Sequence, residues 1–194
     1  MNVQELLKSK KNNFQPIEYL EVESNEYRFN LVTDSLMSHS LFGGVATALI
    51  LAVSICNRNH WPLRIITRTT DNNPVDFELF LAQQNLKKPE KVEYYSDFQK
   101  NEHVRMKLEV SEKDIFFATS WWSAAAIRSC NLRKRFFWII QEEETFFYPY
   151  GDDRLWCEEM MHSDDVDFIV NTKLLYDYFR QHEYVEIVEN GCFF

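Results

Sequence analysis

Six short runs of apolar, β-branched and aromatic residues recur along the chain, separated by stretches whose apolar positions fall at helical spacing. The runs cover 28–33, 63–68, 91–96, 114–119, 135–141 and 166–170. Several are apolar without alternation, as in Phe136-Phe137-Trp138-Ile139-Ile140. A strand reads this way when both of its faces are buried in a parallel sheet. Between the runs, 45–57 is apolar almost all round, and Val75 to Asn85 carries apolar residues at 77, 80 and 81 with Pro74 just outside its start. Trp122 to Asn131, Asp152 to Met161 and Thr172 to Gln181 complete the helices, the last opening on Thr172 as N-cap. Strands alternating with helices predict an α/β fold with one Rossmann-like, doubly wound, mostly parallel sheet. In that architecture ligands bind beyond the carboxyl ends of the strands. The residues just after 33, 68, 119 and 141 therefore matter most.

The first of these loops contains Leu41-Phe42-Gly43-Gly44-Val45-Ala46-Thr47-Ala48-Leu49, with two of the chain's four glycines side by side. The pair reads either as a tight turn before a packed helix or as a backbone that a ligand can approach at a helix amino terminus. The second loop, Arg68 to Pro74, is a polar turn. The third reads Thr119-Ser120-Trp121-Trp122, whose indoles are either core or the wall of a cleft. The fourth reads Gln141-Glu142-Glu143-Glu144-Thr145. Its acids are either a solvated run or carboxylates aimed at the crevice for proton transfer. The aromatic stretch Phe146 to Gly151 reads as a packed loop, and Asp152, Asp153, Asp164, Asp165 and Asp167 as helix-start and surface residues without chemistry.

Composition narrows the classes. A net charge of −9 works against nucleic-acid binding, which depends on neutralising phosphates. The four cysteines and five histidines are scattered, with no C-x-x-C and no metal-ligand spacing, and free thiols suit a reducing compartment. Met1 to Asn13 has no apolar core of the secretory kind, and 45–56 is too short to span a bilayer. The expected location is cytoplasmic, compatible with peripheral attachment to the inner membrane. Residues 1–26 read as a polar leader with room for one short helix, and 27–194 as the folded domain. A dinucleotide-dependent oxidoreductase is disfavoured: G-x-G-x-x-G is absent, and Arg68 stands where an acid should close the second strand.

The segments 41–49, 118–124 and 141–151, in that order and at strand ends, resemble the amino-terminal domain of the WsaF type of rhamnosyltransferase, a GT-B glycosyltransferase of polysaccharide-building systems. The resemblance covers roughly residues 27 to 194. It implies an acceptor-side domain whose Gly43 and Gly44 approach the interdomain cleft, flanked by Phe42. Thr119, Trp121 and Trp122 would line that cleft, and Gln141, Glu142 and Glu144 would form its floor with Tyr148 beside them. Glu142 is the first choice for a catalytic base and Glu144 the second. The chain departs from the family at Glu142, where aspartate is usual, and at Thr145, where proline is usual.

The resemblance also implies a nucleotide-sugar donor of the dTDP-rhamnose kind, a glycan acceptor, no metal and no cofactor. The family carries a second, nucleotide-sugar-binding domain, and this chain stops at Val188 to Phe194, about where the linker to that domain begins. The expectation is one half of an enzyme, inactive or nearly so by itself. The alternative is a non-catalytic glycan-binding or assembly module on the same fold.

Overall fold

The computed structural model describes residues 14–97, 107–132, 134–182, 184, 187 and 191–193. In chain order the strands are β1 (Tyr19–Glu21), β2 (Arg28–Thr33), β3 (Leu63–Thr67), β4 (Val92–Ser96), β5 (Leu108–Val110), β6 (Asp114–Ala118), β7 (Phe136–Ile140), β8 (Val166–Val170) and β9 (Gly191–Phe193). The helices are α1 (Gly43–Asn59), α2 (Pro74–Gln83), α3 (Trp121–Ser129), α4 (Asp152–Met161) and α5 (Lys173–Gln181). Seven strands form one all-parallel sheet in the order β4-β3-β2-β6-β7-β8-β9, and β1 pairs with β5 in a separate two-stranded parallel sheet. This is the Rossmann-like, doubly wound arrangement the sequence predicts. Strand order reverses between β2 and β6, the switch point of the sheet.

Neighbouring residues on each strand serve opposite faces. Leu31, Ile65, Phe117 and Ile139 pack with Leu49, Val53 and Cys56 of α1 and with Phe77 and Leu81 of α2. Val32, Ile66, Ala118, Trp138 and Ile140 pack on the other face with Ala124 and Ile127 of α3, Cys157 and Met160 of α4, and Phe179 of α5. Both faces are covered in the middle of the sheet, so runs such as Phe136–Ile140 of β7 are apolar without alternation. Each fully buried large apolar side chain contributes about 1.5–3 kcal/mol.

Polar side chains fasten the sheet at its amino-terminal edge. Arg28 donates to both oxygens of Asp114 across the β2–β6 pair, at 2.7 and 3.0 Å, and Asn30 donates to Asp114 at 2.8 Å. Arg28 and Arg64 also meet the same Glu93 oxygen, each at 3.1 Å. Burial alone would push the Asp114 carboxyl up, but the Arg28 and Asn30 hydrogen bonds hold it below the ordinary aspartate value.

Several boundaries differ from expectation for local reasons. Helix α1 starts two residues early because Gly43 takes the left-handed φ of +52° and turns the chain directly into the helix. Pro74 is the first residue of α2, where a missing N–H costs nothing, and Asn73 Oδ1 caps it by accepting from the Asp76 amide at 3.2 Å. Helix α3 starts at Trp121 because Ser120 and Ser123 form a reciprocal capping box. Strands β1, β5 and β9 are three residues each, too short to show a period, and β1 lies in the stretch expected to be a polar leader. The leader over residues 1–13 lies outside the described residues.

Candidate functional site

The switch point brings together the loops after β2, β6 and β7. Asp34 follows β2 directly, half-buried. Thr119 follows β6 and is tied to the neighbouring β2, its backbone N–H and hydroxyl both donating to the Val32 carbonyl, at 3.3 and 3.2 Å. The chain then enters α3 through the capping box, and that cap aims two consecutive donors at two different acids. The Trp121 backbone N–H donates to Glu144 Oε2 at 3.1 Å, and the Trp122 indole N–H donates to Asp34 Oδ1 at 2.8 Å. The tandem tryptophans therefore do separate jobs. Trp121 is 1% exposed, its indole N–H donates to the Tyr148 hydroxyl at 2.8 Å, and its ring meets Tyr148 edge-on. Trp122 is half-buried, packed against the core on the α3 side of the sheet.

Both acids hold protons more tightly than usual. Burial pushes Glu144 up to about 8, against the pull of the Trp121 amide and the Trp138 indole, with the charges of Glu143 and Asp34 adding to the rise. Burial also raises Asp34, opposed by the Trp122 hydrogen bond and by Arg68. Two carboxylic acids with raised proton affinity, gathered at a helix amino terminus and the switch point of a doubly wound sheet, are what proton-transfer chemistry requires.

The three consecutive glutamates have three fates. Glu142 is exposed. Glu143 is buried and caps the short 3-10 turn Glu144–Phe147, its Oε1 accepting from the Thr145 amide at 3.1 Å and the Thr145 hydroxyl at 2.6 Å. A proline at 145 could make neither bond, so the departure from the family pattern is matched by a local device. Glu144 alone reaches the tryptophan loop.

The glycine pair also divides. Gly43 faces open space, whereas a Cβ on Gly44 would stand 2.8 Å from Gln141 Nε2. Gln141 donates from that nitrogen to the Gly44 carbonyl at 2.8 Å, which ties the β7 loop to the start of α1. Phe42 is the N-cap of α1, 70% exposed and without a side-chain acceptor to offer, so the first-turn amides of α1 have no side-chain cap.

All ten residues marked in the sequence thus lie on the loops after β2, β6 and β7 or in the first turns of the helices that follow them. Glu144, Trp121, Trp122 and Tyr148 are linked to one another or to Asp34, Gln141 joins Gly44, and Glu142 and Phe42 face outward. Asp34 was missed. Its signal was position alone, as the first residue past the first long strand. Among the described residues, no group of three or more His, Cys, Asp or Glu could hold a metal ion, and no helix is long and apolar enough to cross a membrane.

A doubly wound parallel sheet with partly buried carboxylates at its switch point defines a Rossmann-like domain with a candidate ligand site at the carboxyl edge. The family is known as well: the chain matches the model of the WsaF N-terminal domain over residues 28–173, and it belongs to that family. It is a glycosyltransferase-related domain. No curated protein matches it.

Proposed function

We propose that the chain is the acceptor-side half of a GT-B, nucleotide-sugar-dependent glycosyltransferase, rhamnosyltransferase-like, serving bacterial surface polysaccharide synthesis. The observation that carries the reading is the pair Asp34 and Glu144, each held by a donor from one of two adjacent tryptophans. In direct transfer, the acceptor hydroxyl oxygen attacks the anomeric carbon, the bond from that carbon to the diphosphate oxygen breaks, and the hydroxyl proton passes to a base. Asp34 is that base. Glu144 keeps its own proton at neutral pH and donates a hydrogen bond to a sugar oxygen. Glu142, exposed at the rim, orients an outer hydroxyl. Phe42, Gly43, Gly44 and Thr119 form the substrate-facing wall, with Gln141 and Tyr148 supporting it. A second GT-B domain, in cis or in trans, supplies the donor site and receives the leaving diphosphate.

The test is transfer of rhamnose from dTDP-rhamnose to a rhamnose-containing acceptor, with the chain alone and with a second domain supplied. The chain alone is expected to be inactive, and the reconstituted enzyme to lose about 100-fold or more with Asp34→Asn, the range of general base catalysis. Full activity from the chain alone would overturn the half-enzyme reading. Reconstituted activity indifferent to Asp34→Asn would overturn the assignment of the base. Glycan binding with no transfer in any combination would favour the non-catalytic module.

A further inference from the structure

A cavity of about 760 Å³ lies between α3 and α4, on the outer side of the tryptophan loop. Its size falls within the range of small-molecule sites. Trp121, almost fully covered and packed under Phe14, backs the groove from the core side, and its amide holds Glu144. The opposite wall is one stripe of α4. Asp152, Asp153, Trp156, Glu159 and Met160 recur at three- and four-residue spacing and so share a face of that helix. Trp156 stands 48% exposed among those acids, although an indole of this size is normally covered. Phe14 sits between the two indoles, 5.0 Å from Trp121 and 5.4 Å from Trp156. At the far end, Arg128 and Glu159 close the groove with an ion pair of 3.0 Å.

An indole face flanked by carboxylates is matched to a pyranose. The ring presents C–H groups that pack on the indole and hydroxyls that donate to carboxylate oxygens. A buried peptide helix would instead leave those acids desolvated without partners. We infer that the α3–α4 groove is a second carbohydrate subsite, which holds the body of an oligosaccharide acceptor while its terminal hydroxyl reaches Asp34 past Trp121. The inference rests on the glycosyltransferase reading for its ligand class. It assigns the chain a preference for oligosaccharides over single sugars.

The experiment titrates an α-linked rhamnose tetrasaccharide, and separately free L-rhamnose, into the isotopically labelled full chain. It follows the five tryptophan indole N–H signals, with Trp156→Phe supplying the assignment. The tetrasaccharide is expected to shift the Trp156 signal and to bind more tightly than rhamnose. Trp156→Ala should weaken it about tenfold, the scale of one lost ring contact, and Trp156→Phe should restore most of the affinity. Ala125→Leu, which fills the groove without touching its acids, should weaken it as well. A tetrasaccharide that shifts only the Trp122 signal and binds Trp156→Ala as tightly as the parent would overturn the groove and leave the switch-point reading standing. Absence of binding, or a Trp156 signal that responds only to protein concentration, would overturn the groove too. The transferase reading is decided separately, by the reconstituted transfer assay.

Discussion

The two edges of the sheet treat buried acids in opposite ways. At the amino edge, Asp114 is clamped by the Arg28 guanidinium and by Asn30, and its carboxyl stays charged below the usual range. At the carboxyl edge, Asp34 and Glu144 are held by an indole and a backbone amide, donors without charge, and both carboxyls rise. The first arrangement makes an acid part of the scaffold, since a paired ion has no reason to exchange its proton. The second favours the protonated form of each acid. One parallel sheet thus carries a charge-paired acid at one end and acids of raised proton affinity at the other, separated by the dry interior of β2 and β6.

The largest expected effect lies on the scaffold side. Asp114 is 2% exposed, and Asp114→Ala would take from partly buried Arg28 its closest partner, leaving it Glu93 and the Glu109 carbonyl, and would remove the Asn30 and Ser111 hydrogen bonds as well. Breaking such a pair costs about 3–5 kcal/mol, a large share of the stability of a domain. Urea unfolding should read it as a much lower midpoint with an unchanged slope. A loss under about 1 kcal/mol would mean that the amino edge does not hold the register.

The pH dependence of stability separates the two edges by sign. Asp114 binds its proton less well when folded than its ordinary value of 3.8, so its contribution is present above that pH and is lost as the pH falls through the folded value. Glu144 rises from 4.5 to about 8 on folding, so its contribution is complete below about pH 4.5 and is lost as the pH rises through about 8. Stability should therefore decline on both flanks. Glu144→Gln should flatten the alkaline flank only, and Asp114→Asn the acid flank only, in melts taken from pH 3 to pH 9. In the reconstituted enzyme Glu144→Gln should also remove the fall in transfer above about pH 8, because glutamine still donates where the ionised acid cannot. An alkaline flank unchanged by Glu144→Gln would place the proton elsewhere.

How far the sequence discloses these two edges follows from the range of each interaction. The six longer strands of the main sheet were legible as runs rich in apolar, β-branched and aromatic residues, unbroken where both faces are buried, as in β7. Strands β1, β5 and β9 were not, since three residues carry no period and their pairing is decided by partners far away in the chain. At the site, the loops were legible from the strand ends, and the tryptophan pair and glutamate run stood out by composition. Which glutamate matters was not. That choice depends on the Thr145 hydroxyl drawing Glu143 into a cap and on the Ser120–Ser123 box aiming the Trp121 amide at Glu144, both of them orientations and not patterns. Asp34 stayed hidden because a lone acid after a strand looks like any turn residue, and its partner Trp122 lies 88 positions away.

The glycine pair gives a smaller test within the carboxyl edge. Gly43→Ala places a side chain in empty space but on a left-handed backbone, and should cost about 1–2 kcal/mol. Gly44→Ala displaces the flexible end of Gln141, losing about 0.5–1.5 kcal/mol for one hydrogen bond. It regains about 0.5–1 kcal/mol because alanine is the better helix former. Thermal melts should thus show Gly43→Ala as the more damaging change, although Gly44 has the closer neighbour. The reverse order would mean that the Gln141 tie, and not the turn, sets the start of α1.

The smallest stability effect is expected at Glu142, and it sharpens the comparison most closely because it contrasts acids only two residues apart. Glu142 is exposed, so Glu142→Gln should change stability by no more than about 0.5 kcal/mol. In the reconstituted enzyme it should weaken acceptor binding, seen as a raised KM, while leaving kcat near the parent value, because a rim carboxylate orients hydroxyls without taking the proton. If Glu142→Gln instead lowers kcat as far as Asp34→Asn does, the base belongs to the exposed rim. Burial at the carboxyl edge would then be scaffold chemistry like that of the amino edge, and the contrast between the two ends of the sheet would fail.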